Sequence, residues 1–383
     1  MCTIRAVRAS QADRARAQEG FAAWQRGDAR AALAAFEDVA AAGVASPALW
    51  LLLAQARAAA GAPGVDDALD RVLAAEPRNR AALVMKGDRA PDDRGATAFY
   101  SMALAGASDA ERRDPAIASL LDQAAAKLKA AEARFVSHLH ASIADHEAGA
   151  RFEEAVALVT GAKALYLQQP TSFFFPGLPH RQFFEPGEFA WAAALTEAAP
   201  AIAAEVAALR AGPSRSGPYV VADSERPNRG HALLDDPRWS AFHLLEHGEP
   251  VADNAARCPA TMAAIERLPL PVIAGRSPMA LFSVLAPGTH IPPHNGMLNT
   301  RLICHLPLIV PPGCALRVGN ETRAVEAGKL MIFDDSIEHE AWNGSNETRI
   351  ILLFEIWRPE LTETERVALT RLFESVGLFA GGQ

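Results

Sequence analysis

The chain has 383 residues, half of them hydrophobic and 21% charged, which is enough apolar side chain for more than one core and too much for a disordered chain. Its 37 basic and 45 acidic residues leave a formal charge of −8, which offers no field for a phosphate backbone and excludes nucleic acid as a natural partner. No apolar h-region opens the chain and no run approaches the ~20 apolar residues of a membrane span, so a cytoplasmic protein with no membrane span is expected, its four scattered cysteines (Cys2, Cys258, Cys304, Cys314) being buried thiols.

The first third is rich in alanine, leucine and arginine and poor in β-branched residues, a composition that loses little side-chain entropy in helices. Gly20, Ala32 and Phe36 are echoed by Ala54, Ala68 and Val72, and Gly27 by Gly61, at a period of 34 to 36 residues with Glu76-Pro77 as a terminator. This pattern resembles degenerate tetratricopeptide repeats, which would give residues 1–112 as a helical-repeat region and a surface for a protein or peptide substrate. Residues 113–168 are nearly free of glycine and proline up to Leu158, and Ile117, Leu120, Leu121, Ala124 and Leu128 recur at helical spacing. One or two long helices are expected to connect the two halves.

The texture changes after Phe173-Phe174-Phe175-Pro176-Gly177-Leu178-Pro179. A helix is expected near 188–210, then a Gly/Pro/Ser stretch at 212–218. After residue 270 the chain reads as short strands: Met279–Leu285, Asn299–Val310, Ala315–Val318, Lys329–Phe333 and Arg349–Trp357. Turn pairs such as Pro287-Gly288, Pro312-Gly313, Gly319-Asn320 and Asn343-Gly344 separate them. Short strands at this spacing suggest a jelly roll or barrel over residues 169–383, closed by a helix from Thr362 to Phe379 with Thr362 and Glu365 in capping-box spacing. The fold class is therefore α+β and multidomain: an all-α helical region followed by a double-stranded β-helix.

Of the eleven histidines, eight follow residue 175, and His290, His294, His305 and His339 fall among the strands. A histidine in a proline-rigid loop (His290-Ile291-Pro292-Pro293-His294) and another some 45 residues on, leading into a strand, is how a double-stranded β-helix sets metal ligands at its mouth. Arg349 enters the apolar strand Ile350–Phe354, where a buried guanidinium must be paired; its partner is either a bidentate carboxylate ligand or a protein acid. Two histidines and a downstream arginine fit non-haem iron with 2-oxoglutarate.

The stretch from His290 to Gly296, then Asn299-Thr-Arg301-Leu-Ile-Cys-His305, then Phe333-Asp-Asp-Ser-Ile-Glu-His339-Glu-Ala-Trp342, and Arg349, resembles the aspartyl/asparaginyl β-hydroxylase family. Phe173–Leu178 and Arg257-Cys258-Pro259 are similar to its upstream segments. The resemblance implies a dioxygenase using Fe(II), 2-oxoglutarate and O2, which hydroxylates the β-carbon of an Asp/Asn-type residue or a small molecule. Carried over, His294 and His339 would ligate iron, while Arg349 and Ser283 would hold the distal carboxylate of 2-oxoglutarate and His305 would contact the cosubstrate. Arg301 would be a basic substrate-pocket position, and Asp335 an acid near the iron.

Two departures bear on this. The carboxylate of the usual facial triad, expected two residues after His294, is replaced by Gly296. The family shares that gap, as do iron halogenases that place chloride there, so halogenation is an alternative. Ile303 stands where members acting on acidic side chains can carry a second arginine, which weakens the expectation of an aspartyl substrate. Another alternative is an inactive oxygenase domain serving a helical adaptor. A rival motif, His243-Leu-Leu-Glu246-His247, matches the HxxEH of inverted zinc metalloproteases, but nearby Pro237, Gly248 and Pro250 favour a strand over the helix it needs.

Overall fold

A computed structural model describes residues 10–143, 149–212, 216–222 and 232–381. Cys2 and residues 213–215 of the expected Gly/Pro/Ser stretch lie outside these; Cys258, Cys304 and Cys314 are buried and unbridged. The chain divides between Ala162 and Lys163 into a helical unit and a sheet unit, rather than at residue 169.

The helical unit starts with three pairs of consecutive helices, α1 (Gln11–Gln25) with α2 (Ala29–Ala41), α3 (Pro47–Ala60) with α4 (Val65–Ala75), and α5 (Arg80–Arg89) with α6 (Asp93–Leu104). Side chains of Ser10, Asp28, Ser46, Asn79 and Asp92 cap the orphan amides at five of these starts. Glycine stands where helices cross: a Cβ at Gly20 would lie 2.7 Å from the Phe36 ring and one at Gly87 2.5 Å from the Tyr100 ring. The short α7 (Asp109–Arg113) leads into α8 (Pro115–Ile143), which packs on α5 and α6 through Leu120, Ala124 and Leu128. It thus belongs to the helical unit instead of bridging the halves, and α9 (Ala150–Val159) follows it.

In the sheet unit, in chain order, come β1 (Phe183–Phe184), α10 (Ala192–Arg210), β2 (Gly217–Pro218), β3 (Trp239–Glu246), β4 (Glu249–Pro250), α11 (Ala252–Ala255), α12 (Pro259–Ile265), β5 (Ala280–Leu285) and β6 (His290–His294). These are followed by β7 (Arg301–Ile309), β8 (Cys314–Val318), β9 (Glu321–Ala324), β10 (Met331–Phe333), β11 (His339–Asn343), β12 (Arg349–Trp357) and α13 (Glu363–Gly381). Among the described residues one antiparallel sheet runs β1-β10-β7-β12-β5-β3-β2, with β4 on β3, and a second runs β6-β11-β8-β9. The two form the expected jelly roll. The proline-bearing segment His290–His294 is a strand at the edge of the second sheet rather than a loop, as proline requires.

Strand alternation divides the core. Leu302, Cys304, Leu306, Ile350, Leu352 and Phe354 face away from the second sheet and pack with α10 and α12. Ile303, Ile351, Leu353, Leu281 and Phe333 face inward and meet Ile291, Leu316 and Ala341 of the second sheet. Both faces of β12 are therefore buried, which is why it reads as one apolar run. By length and composition α10 is apolar enough to cross a membrane, although no such run was expected from the sequence. Here Leu195, Ile202 and Val206 fill the sheet core and Glu205 accepts from the backbone of Ala260 and Thr261. Thr362 caps α13 with Glu365 as expected, and Phe373 packs edge-on to Phe173.

Candidate active site

Between the two sheets lies a cavity of about 250 Å³ whose lining includes all seven residues singled out from the sequence: Ser283, His294, Arg301, His305, Asp335, His339 and Arg349. Strand pairing explains how residues distant in sequence meet there. His294 and His339 are direct cross-strand partners on β6 and β11, and their ring centroids lie 4.1 Å apart. His294 Nδ1 is 2.8 Å from the Pro292 carbonyl and His339 Nδ1 is 3.0 Å from the Ile337 carbonyl. A carbonyl only accepts, so each Nδ1 carries the proton and Nε2 is the basic nitrogen, the state a metal ligand needs. Burial, with His294 second, pushes His339 down to about 3, so its imidazole is neutral at any physiological pH.

Arg349 and Ser283 are diagonal neighbours across β12 and β5, since Arg349 faces Leu285 and Ile351 faces Ser283. Both are 1% exposed. Trp239 Nε1 donates to the Ser283 hydroxyl at 3.2 Å. The Arg349 Nε has no hydrogen-bond acceptor, and among the described residues no carboxylate lies within ion-pair reach of its guanidinium. Burial pushes Arg349 down to about 10, still cationic at neutral pH. Of the two partners the sequence left open for this arginine, a protein acid is thus absent among the described residues. His305 lies opposite Leu353 with its ring edge-on to Phe333, and burial, then Arg349 and His339, hold its pKa well below the usual range.

At the other end of β7 the Arg301 guanidinium pairs with Glu355, which is wholly buried, and lies 3.5 Å from Asp335. Burial works against its charge, but Glu355 and Asp335 outweigh it and raise its pKa. Asp335 is pushed up to about 7 by burial, with Arg301 opposing, and its Oδ1 has no partner. A Cβ built on Gly296 would fall 2.0 Å from Asp335 Oδ2 and 2.3 Å from its Cγ. The Asp335 carboxyl, from the segment before His339, thus occupies the place from which a side chain at position 296 would start.

Sequence reasoning missed Glu355, and missed the wall formed by Tyr219 stacked on Trp239 at 4.1 Å. Glu355 carried a signal, being the only charged residue between Arg349 and Arg358 in an apolar run. Of the HxxEH segment, His243 to Glu246 end β3 and His247 lies in the turn just past it, His243 and Glu246 being 3.7 Å apart and away from the cavity; no helix forms there. Among the described residues no three His, Cys, Asp or Glu side chains cluster as a complete protein-only metal site. The groups present do fit a two-histidine iron centre with an anionic cosubstrate: two imidazoles with fixed tautomers, an acid oxygen without a partner, and a buried cation without an anion.

A family model described as aspartyl/asparaginyl beta-hydroxylase matches residues 196–359. The mouse protein named aspartyl/asparaginyl beta-hydroxylase is 40% identical over 138 residues, 36% of this chain and 18% of that one, and its human counterpart 39% over the same length. A Rhizobium tropici protein named ornithine lipid ester-linked acyl 2-hydroxylase is 33% identical over 213 residues, covering 53% of this chain and 68% of that one. The match thus spans under a fifth of the mouse and human relatives and about two thirds of the bacterial one.

Proposed function

The chain belongs to the aspartyl/asparaginyl β-hydroxylase family, and from that premise we propose that it is an Fe(II)- and 2-oxoglutarate-dependent hydroxylase. The observation that carries the cosubstrate is Arg349, a buried guanidinium with no protein anion among the described residues. Leaving it so costs several kcal/mol, roughly the 3–5 kcal/mol of a broken buried pair, which a bound carboxylate recovers. His294 and His339 would hold the metal through Nε2, and Arg349 with the Ser283 hydroxyl would hold the distal carboxylate of 2-oxoglutarate. When bound, iron, 2-oxoglutarate and O2 supply the oxidant that hydroxylates an unactivated carbon, with succinate and CO2 released.

The protein's part is placement and exclusion of water. The neutral His305 adds no competing charge beside Arg349, so the cation is available to the incoming carboxylate. Phe333, Ile351 and Leu353 keep the cavity between the ligating histidines and Arg349 apolar, which strengthens that pairing. The halogenase alternative is disfavoured, because the Asp335 carboxyl lies against Gly296 and would place a second anion close to a halide bound on that side. The inactive-adaptor alternative leaves the unpaired Arg349 without a reason. The bacterial relative, named for a lipid acyl chain, and the mouse relative, named for protein residues, bracket the substrates to screen.

The test is an anaerobic titration of the full chain with Fe(II) and 2-oxoglutarate, followed by oxygen and assay of succinate. A visible charge-transfer band and succinate release are expected from the wild type, and neither from His339→Ala. Wild-type turnover in that variant would refute the assignment.

A further inference from the structure

β12 sends Arg349, Ile351, Leu353 and Glu355 to the inner side of the sheet. Arg349 and Glu355 are six residues apart, about 20 Å along an extended strand, so they mark opposite ends of the inner surface. β7 runs antiparallel and likewise turns Arg301, Ile303 and His305 inward. The cavity is therefore served by two guanidinium groups in different states. Arg349 has no protein anion, whereas Arg301 is paired with buried Glu355 and lies 3.5 Å from Asp335. Between Arg301 and His305 the inward residue is Ile303, so β7 supplies no second cation to the cavity there; the half-buried Arg276 is the other guanidinium whose charge acts on Arg301 and Glu355, and it does not line the cavity. A carboxylate brought beside Arg301 would have to compete with Glu355, which is wholly buried and already bonded to that guanidinium, with the Asp335 carboxyl 3.5 Å away. What Arg301 still offers, beyond the N–H that Glu355 accepts, are the remaining N–H donors of its guanidinium, the buried Nε–H among them without an acceptor. A donor on a guanidinium whose charge Glu355 already compensates suits an uncharged oxygen, and a buried donor left unmatched is costly.

Resting on the hydroxylase reading above, we propose that the reacting end of the substrate is uncharged, carrying a carboxamide or ester carbonyl for Arg301 rather than a carboxylate. Glu355 is then the residue that sets specificity, by holding Arg301 back from anions. The full chain is loaded anaerobically with Fe(II) and 2-oxoglutarate, and two probes are titrated calorimetrically: the N-acetyl, N-methylamide of aspartate and its asparagine twin. The wild type is expected to bind the aspartate probe no better than the asparagine probe. Glu355→Gln keeps an acceptor for the Met279 amide that Glu355 Oε1 now accepts at 3.1 Å, removes the competing charge, and is expected to gain about tenfold or more for the aspartate probe. A tenfold wild-type preference for aspartate, or no gain in folded Glu355→Gln, overturns the proposal. Should that variant not fold, the charge-balanced double variant Arg301→Met with Glu355→Gln is used. It is expected to bind 2-oxoglutarate with wild-type affinity, and a loss of about tenfold would show Arg301 to anchor an anion and overturn the proposal. The 2-oxoglutarate titration that precedes the probes separates the two readings, since its failure counts against the hydroxylase and not against the state of Arg301.

Discussion

Asp334 and Arg358 meet at 2.5 Å with neither side chain exposed. Gln168 Nε2 donates to Asp334 Oδ2 at 2.7 Å, and the Ser336 amide and hydroxyl donate to Oδ1. This network fixes the turn between β10 and β11 that carries Asp335 and delivers His339. The two neighbouring acids therefore do different work, Asp334 holding the backbone and Asp335 facing the cavity. Asp334→Asn removes the fully buried anion of Arg358 and leaves it only the partly exposed Glu360 at 3.2 Å, so it is expected to destabilise the sheet unit by about 2–3 kcal/mol, below the roughly 3–5 kcal/mol of a pair broken outright. Asp335→Asn breaks no comparable pair and is expected to unfold near the wild-type denaturant midpoint. Denaturant unfolding followed by tryptophan fluorescence measures both, and equal losses would refute the division.

Arg349→Met removes a buried charge that has no protein partner. The ligand-free variant is expected to be at least as stable as the wild type, because an apolar side chain of similar volume suits that environment. Its affinity for 2-oxoglutarate is expected to fall by about 10²–10³-fold, the equivalent of a lost buried pair of roughly 3–4 kcal/mol. Millimolar 2-oxoglutarate should raise the Tm of the wild type and leave that of the variant unchanged. A wild-type thermal shift in Arg349→Met would show that the carboxylate is held elsewhere.

In the helical unit, Arg80 pairs with Glu111, whose carboxyl also accepts from Ser108. The Arg80 hydrogen bond, then those from Ser108, hold Glu111 at about 2, against 4.5 for the unperturbed group. A depressed folded pKa contributes stability that is fully present above the unfolded value and is lost as pH falls through the folded one. The contribution is therefore expected to fade between about pH 4.5 and 2, and Glu111→Gln should flatten that part of the acid-unfolding curve followed by far-UV circular dichroism. An unchanged acid limb would show that water already screens the pair.

What was legible in the sequence follows from how local each signal is. Gly20 and Phe36 announced a tight helix crossing because only a missing Cβ lets that ring approach, and both lie within the consecutive helices α1 and α2. His294 and His339 were legible because each stands at the end of a recognisable segment, the proline-rich β6 and the start of β11, which pair across the sheet. Glu355 was obscured because its meaning depends on β7 lying beside β12, which no periodicity within β12 reveals. The helix α8 read as a connector because its apolar stripe was plain while the helices it packs on, α5 and α6, precede it by a turn and a short helix. Likewise His290–Pro293 read as a loop, since the edge position that makes prolines tolerable in a strand is a property of the sheet.

Gly296 is held to glycine by Asp335, not by a backbone torsion, since the clash distance of 2.0 Å is to that carboxylate. Two consequences can be separated by mutation. Gly296→Asp, which formally completes a facial triad, should displace Asp335 and lower iron affinity by about 10–100-fold, the range for losing an outer partner of a metal site. Removing the obstructing group in Gly296→Asp with Asp335→Gly should recover tight iron binding, because the acid now comes from the vacated position. Iron titration of the two variants beside the wild type decides the matter. If Gly296→Asp alone binds iron as tightly as the wild type, the space beside His294 is not filled by Asp335. The objection to a halide at that position would then fall as well, and a chlorinated or brominated product should be sought in the oxygen-exposed reaction.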